Sequence, residues 1–247
     1  MRFSANTGFL WKELPFLERI ARAAAAGFDA LEFHDEAQGE DPAALSDALA
    51  AAGLPVLGLN TRMGDTVGCA AIPGAADQAR RDFEVAHAVA ERVGAGAIHV
   101  TAGKTDAAGA REAYLAHLDW AVGQTDRTLL IEPICRAAMP GYFLHDLDQA
   151  VRVIRDLGHD RIRIMFDCFH VETEHGQTLA RYTACAAHVG HVQIASVPGR
   201  AEPVGGTLDY ATLLPALVAA GYGGAFGCEY RPTGTVEEGL AWRDAFR

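Results

Sequence analysis

The amino-acid sequence predicts an α/β fold, the (β/α)8 TIM barrel, in which eight parallel strands alternate with helices. The chain has 247 residues, about the length that one such barrel needs. Short apolar runs alternate with helical patterns from end to end of the chain. These runs are continuous and do not alternate with polar residues, which is typical of a parallel sheet covered by helices. The sequence shows no linker, so we expect one domain over residues 1–247.

The predicted strands are apolar, β-branched segments, and each is followed by a stretch with apolar residues at helical spacing. The strands are predicted at residues 2–6, 29–34, 55–60, 96–102, 128–134, 162–168, 191–196 and 225–230. The helices are predicted at residues 13–27, 41–53, 75–94, 110–124, 145–158, 174–188, 211–221 and 235–246. Several of the helical patterns end in a glycine that favours a C-cap: Gly27, Gly53, Gly94, Gly158 and Gly221. Thr235 and Glu238 have capping-box spacing at the last helix.

A doubly wound parallel sheet is the structural alternative. It usually has fewer strands and often carries a glycine-rich fingerprint after the first strand. The segment after the first predicted strand, residues 4–9, has no such fingerprint. The sequence therefore favours the barrel.

Composition and charge exclude several classes of function. The net charge of −11 argues against nucleic acid and anionic membranes as partners, because both attract basic surfaces. The first residues lack the apolar core of a signal peptide, and no run has the roughly 18 apolar residues of a membrane span. The five cysteines are scattered and odd in number, without a CxxC pair. We therefore expect reduced thiols and a cytoplasmic protein.

The fifth to eighth predicted strands each carry, near the C-terminal end, a group that can bind a metal: Glu132, Asp167, Gln193 and Glu229. Three carboxylates and one amide oxygen suit a hard divalent cation such as Mg²⁺ or Mn²⁺. Active sites of these barrels lie at the C-terminal ends of the strands, so we expect one shared site. Taken singly, each carboxylate could instead pair with an Arg or Lys, and a backbone group could satisfy the amide.

Two further residues are candidates for substrate binding. His170 follows Asp167 in the segment Asp-Cys-Phe-His, where it could hydrogen-bond a substrate oxygen or be an ordinary paired polar residue. Arg200 lies in the loop after the seventh strand. Its planar guanidinium could bind a substrate carboxylate through two hydrogen bonds, and the alternative is an ordinary surface arginine.

Seven segments of the chain resemble the hydroxypyruvate isomerase family, which is part of the xylose-isomerase-like TIM barrel superfamily. They are residues 1–6, 15–33, 60–65, 98–103, 166–170, 191–203 and 227–242. The resemblance implies that Glu132, Asp167, Gln193 and Glu229 are metal ligands. It also implies that Glu132 and Glu229 transfer the proton, and that His170 and Arg200 contact the substrate.

The function implied is an isomerase that interconverts hydroxypyruvate and tartronate semialdehyde with a divalent cation, Mg²⁺ or Mn²⁺. A 2-oxo-tetronate isomerase or a ketose 3-epimerase would use nearly the same residues and stays an alternative. A DNA-repair endonuclease on this fold would need more histidine ligands and a basic face. A non-catalytic sugar-binding module would not need two opposed carboxylates. The expected partner is a small hydroxy-keto acid or sugar, and the sequence leaves homo-oligomerisation open.

Overall fold

The chain folds into a closed barrel of parallel strands, seen here in a computed structural model that describes residues 1–246. Within these residues each strand pairs with the next one along the chain, and β8 closes the barrel against β1. The strands are β1 (Phe3–Asn6), β2 (Ala30–Phe33), β3 (Val56–Asn60), β4 (Ala97–His99), β5 (Thr128–Ile131), β6 (Ile162–Asp167), β7 (Val189–Ile194) and β8 (Phe226–Cys228). The predicted (β/α)8 barrel is confirmed.

The α-helices connect the strands. They are α1 (Phe16–Ala25), α2 (Pro42–Ala52), α3 (Ala76–Val93), α4 (Ala110–Val122), α5 (Leu147–Leu157), α6 (Cys168–His175), α7 (Thr178–Cys185) and α8 (Tyr210–Ala219). None of those within residues 1–246 combines the length and the apolar composition that a membrane span requires.

Two of the predicted helices were wrong in detail. Residues 174–188 do not form one helix, because Gly176 and Gln177 both have positive φ, 67° and 55°, and separate α6 from α7. Residues with a positive φ cannot continue a right-handed helix. The last predicted helix is a 3-10 helix over Glu238–Phe246, although the predicted capping contact between Thr235 and Glu238 is present.

Helix α5 illustrates how the sequence places the helices on the barrel. Asp146 caps its first turn, since its Oδ1 accepts from the backbone N–H of Gln149 at 2.7 Å. Gly158 ends it with a φ of 68°, a conformation that glycine adopts without steric cost. The buried residues recur at helical spacing and face the sheet: Leu147, Ala150, Val153 and Ile154.

The interior of the barrel is only partly apolar. Ala97, Leu130 and Met165 form a small apolar cluster, whereas Glu32 and Gln193 are buried polar residues that line the same cavity. This interior cavity has a volume of about 270 Å³ and reaches the N-terminal ends of the strands. TIM barrels are normally filled with bulky branched side chains, so the polar part of this interior is unusual.

Candidate active site

A pocket of about 410 Å³ lies beyond the C-terminal ends of the strands. Among the residues that bring charge or hydrogen-bonding groups into it are His34, Glu132, His170, Arg200 and Glu229. Phe9 and Phe169 provide apolar walls. The pocket is therefore at the face where barrel enzymes of this fold have their active sites.

Glu132, Asp167 and His170 form the centre of this site. All three are buried, and one potential ligand atom from each lies within 4.8 Å of the other two. Glu132 directly follows β5, Asp167 ends β6 and His170 lies in the first turn of α6. Asp167 also caps α6 by accepting the backbone N–H of Phe169 at 2.8 Å, so the helix start fixes the direction of its carboxylate.

Arg200 connects the centre of the site to Glu229. One guanidinium nitrogen lies 2.9 Å from Asp167 Oδ2 and also donates to Glu229 Oε2. The guanidinium lies over two aromatic rings, 4.6 Å from the centroid of Phe9 and 5.1 Å from that of Phe169. Its side chain is only 12% exposed. Arg200 is thus part of the pocket wall and not a solvated surface arginine.

Glu229 has two further partners that the sequence interpretation did not select. Asn6 donates from Nδ2 to Glu229 Oε1 at 3.0 Å, and His34 Nε2 lies 3.2 Å from the same oxygen. Burial raises the pKa of Glu229, but the charge of Arg200 and the hydrogen bond from His34 outweigh it and bring the pKa below the ordinary value. Glu229 therefore stays ionised in this environment.

The two other carboxylates behave in the opposite way. Burial, together with the charges of Glu229 and Asp167, raises the pKa of Glu132 well above its ordinary value. Burial also raises the pKa of Asp167 to about 7, although Arg200 opposes this shift. Three carboxylates thus share one arginine, and their excess negative charge is what a divalent cation would neutralise.

Unpaired buried oxygen atoms indicate where such a cation would fit. Oε1 of Glu132 and Oε1 of Gln193 are buried and have no hydrogen-bond partner among residues 1–246. Gln193 pairs in register with Asp167 on the neighbouring strand, but it lines the interior cavity instead of the pocket. The oxygen-rich donor set fits Mg²⁺ or Mn²⁺, both of which prefer carboxylate and carbonyl ligands.

His170 is oriented as a hydrogen-bond donor. Its Nδ1 accepts from the backbone N–H of Cys135 at 3.3 Å, so the neutral ring carries its proton on Nε2. Nε2 lies 3.5 Å from Asp167 Oδ2 and 3.6 Å from Glu132 Oε1. Burial, with the charge of Arg200, holds the pKa of His170 well below its ordinary value. A neutral Nε2–H faces the site, which suits contact with a substrate oxygen better than metal ligation.

Comparison with known proteins shows the family of the chain. The family model described as xylose isomerase-like TIM barrel matches residues 20–246. The chain belongs to this family. The 2-oxo-tetronate isomerase of Cupriavidus necator is 37% identical over 98% of this chain and 96% of its own length. The hydroxypyruvate isomerase of Escherichia coli is 34% identical over 100% of both chains.

Solved structures share the fold of this chain. A Brucella melitensis structure described as an AP endonuclease, family 2, has a TM-score of 0.95 and 32% identity, covering 100% of this chain and 99% of that one. A D-psicose 3-epimerase has a TM-score of 0.79 at 18% identity, covering 96% of this chain and 88% of that one, and this likeness shows the fold alone.

Within this xylose isomerase-like barrel, the structure brings five of the six selected residues together. The sixth, Gln193, pairs in register with Asp167 but lines the interior cavity. Asn6, His34 and His99 were not selected, yet each follows or ends a strand at the same face. His99 donates from Nδ1 to Asn60 Oδ1 at 3.1 Å, which leaves its Nε2 as an acceptor 3.8 Å from Glu132 Oε2. The position of a polar side chain at a strand end was the signal available, and the sequence interpretation used it only for oxygen ligands, for His170 and for Arg200.

Proposed function

We propose that this protein is an isomerase that interconverts hydroxypyruvate and tartronate semialdehyde. The observation that carries the proposal is the pair Glu132 and Glu229, which enter one pocket from the ends of β5 and β8. Membership of the family, with full-length relatives named as isomerases, makes aldose–ketose isomerisation the class of reaction. The reducing equivalents stay within the substrate, so no redox cofactor is needed.

The two glutamates perform the proton transfer in this proposal. One removes a proton from the hydroxymethyl carbon, C3, and the other delivers a proton to the neighbouring carbonyl carbon, C2. The C3 hydroxyl gives up its proton as that carbon becomes the aldehyde, and the C2 oxygen gains one as it becomes a hydroxyl. In this proposal the Nε2–H of His170, which lies 3.5 Å from Asp167 Oδ2 and 3.6 Å from Glu132 Oε1, donates to one of these oxygens.

We further propose a bound divalent cation, Mg²⁺ or Mn²⁺, held by Glu132, Asp167, Gln193 and Glu229. When bound, it supplies Lewis-acid polarisation of the substrate carbonyl. Arg200 would hold the substrate carboxylate, because its guanidinium lies at the pocket wall over the rings of Phe9 and Phe169. The five cysteines are free, which supports a reducing, cytoplasmic location.

A 2-oxo-tetronate isomerase is the second candidate, favoured by the 37% identity to the relative of that name. Its substrate would place one more carbon in the pocket and use the same two glutamates. Endonuclease activity, the function in the description of the Brucella melitensis structure, is disfavoured by the net charge of −11. Only turnover separates the two isomerase substrates.

The test is exchange of solvent deuterium into a panel of 2-oxo acids and ketoses, followed by NMR with Mg²⁺ or Mn²⁺ present. The unchanged protein should label hydroxypyruvate or the 2-oxo-tetronate. Replacing Glu132 or Glu229 by Gln should slow labelling by at least about 10²-fold with the fold intact. The exposed Glu112 provides the control, since Glu112→Gln should leave the rate unchanged. Near-normal exchange by Glu229→Gln would refute the assignment.

A further inference from the structure

Glu32 is a buried carboxylate in the barrel interior that takes no part in the proposed proton transfer. It lies on β2 and is 4% exposed. Its Oε1 accepts the hydroxyl of Ser4 and lies 3.0 Å from Nε2 of His191. Its Oε2 accepts Nε2 of Gln193 at 3.0 Å. Buried carboxylates without such partners are strongly destabilising, so these contacts fix the position of Glu32.

The hydrogen bond to Glu32 fixes the orientation of the Gln193 amide, with its nitrogen toward Glu32 and its oxygen away from it. An ionised carboxylate only accepts hydrogen bonds, and the amide nitrogen only donates them. Turning the amide over would place Oε1 of Gln193 against Oε2 of Glu32, with two lone pairs in contact. The observed orientation leaves Oε1 facing away from Glu32, and this buried atom has no hydrogen-bond partner among residues 1–246.

On the side of β8, Glu32 and Gln193 pack closely against the backbone of the barrel. Gly227 on β8 pairs in register with Gln193. A Cβ at this glycine would lie 2.4 Å from Glu32 Oε1 and 2.8 Å from Gln193 Cγ. Both side chains therefore pack directly on the glycine backbone. An unpaired buried acceptor costs about 1–3 kcal/mol, and a fold that holds one in place so firmly points to a ligand for it.

We propose that Glu32 is a positioning residue for the divalent-cation site. It holds the amide of Gln193, the residue that pairs in register with Asp167, so that Oε1 stays free to bind the cation. The inference rests on the proposed function in one respect, that Gln193 is a metal ligand. Outer partners that orient metal ligands typically change metal affinity about 10- to 100-fold when they are removed.

The experiment measures the Kd of Mn²⁺ by titration calorimetry and by the EPR signal of free Mn²⁺, with melting temperatures of the metal-free proteins recorded alongside. Glu32→Gln should weaken Mn²⁺ binding about 10- to 100-fold, and Gln193→Leu should weaken it to a similar extent. The double variant should bind no more weakly than Gln193→Leu alone, because Glu32 acts through Gln193. A merely structural role would lower the melting temperature and leave the Kd of the folded protein unchanged.

The matched control is Asp82, a buried carboxylate on α3 that accepts Nε2 of Gln78 at 2.8 Å. Asp82→Asn should change stability without changing the Kd. If Glu32→Gln does not fold, Ser4→Ala removes one donor to the same carboxylate and should weaken Mn²⁺ binding in the same direction.

The outcomes separate the two proposals. If Gln193→Leu weakens Mn²⁺ binding but the folded Glu32→Gln variant has an unchanged Kd, the positioning role of Glu32 is overturned. If Glu32→Gln does not fold, an unchanged Kd of Ser4→Ala has the same meaning. If Gln193→Leu left the Kd unchanged, or the unaltered protein bound no Mn²⁺, the ligand assignment itself would fail, and the inference with it.

Discussion

Replacing Arg200 by methionine would test how far the carboxylates of the pocket depend on this one cation. Arg200 contacts Asp167 and Glu229, and all three side chains are almost completely buried. Removing one partner of a buried ion pair typically costs about 3–5 kcal/mol, because the remaining charge is left without compensation. Methionine keeps an unbranched apolar side chain next to the rings of Phe9 and Phe169. Little of the decrease in the free energy of unfolding should therefore come from lost packing. We therefore expect Arg200→Met to lower the free energy of unfolding by about 3–5 kcal/mol.

The loss should depend on pH in a defined direction. Arg200 counteracts the burial that would raise the pKa of Glu229, and the folded protein holds that pKa below its unfolded value. This group stabilises the protein above its unfolded pKa, and the contribution disappears as the pH falls through the folded pKa. The variant lacks that contribution, so the difference between the two proteins should be largest near pH 7 and shrink in acid.

Urea denaturation at pH 7 with a chelator measures the effect, and Arg111→Met is the control. Arg111 pairs with Asp156 at the surface, where both side chains are about half exposed, and such pairs contribute about 0–1 kcal/mol. Added Mn²⁺ should restore part of the loss in Arg200→Met, since a cation would neutralise the same carboxylates. If Arg200→Met cost no more than Arg111→Met, the charge balance described for the pocket would be wrong.

Two further predictions concern histidines. Burial, with a smaller effect of Arg80, lowers the pKa of His117 to about 4. The free energy of unfolding should therefore fall as the pH drops from about 6.5 toward that value. Denaturation curves at pH 7 and pH 4.5 measure this fall, and His117→Phe should reduce it by up to about 3 kcal/mol. An unchanged pH dependence would contradict this. His34→Leu removes a hydrogen bond to Glu229 and should lower kcat/KM for hydroxypyruvate about tenfold, whereas the partly exposed His87 should be dispensable in the same assay.

The sequence was sufficient to predict the site residues on the strands, because the barrel brings the C-terminal ends of all its strands to one face. Once eight strand and helix units are recognised, polar groups at the strand ends must meet at one face. Glu132, Asp167 and Glu229 follow from that rule, and the structure places them accordingly. The prediction of a single helix over residues 174–188 was wrong, because Gly176 lies within the helical pattern and ends the helix.

Contacts across the barrel could not be derived in this way. Asn6 meets Glu229 over a separation of 223 residues, and His34 meets it over 195. Glu32 and Gln193 are 161 residues apart, and each lies within an apolar strand pattern that gives no sign of its partner. Such pairs depend on strand order, register and side-chain direction together, and the sequence pattern of one strand contains none of these.

The division between strands and loops bears on which substrate the site accepts. The two glutamates of the proposed proton transfer and the proposed ligands lie on or directly beside strands whose register the whole barrel fixes, so their geometry cannot drift without disrupting the sheet. His34 and Arg200 lie in the loops after β2 and β7, and Arg200 has a left-handed backbone with a φ of 54° that its loop must maintain. Loops tolerate substitution far better than strands. We therefore expect other positions in these two loops, and not His34 or Arg200 themselves, to set the choice between three-carbon and four-carbon acids.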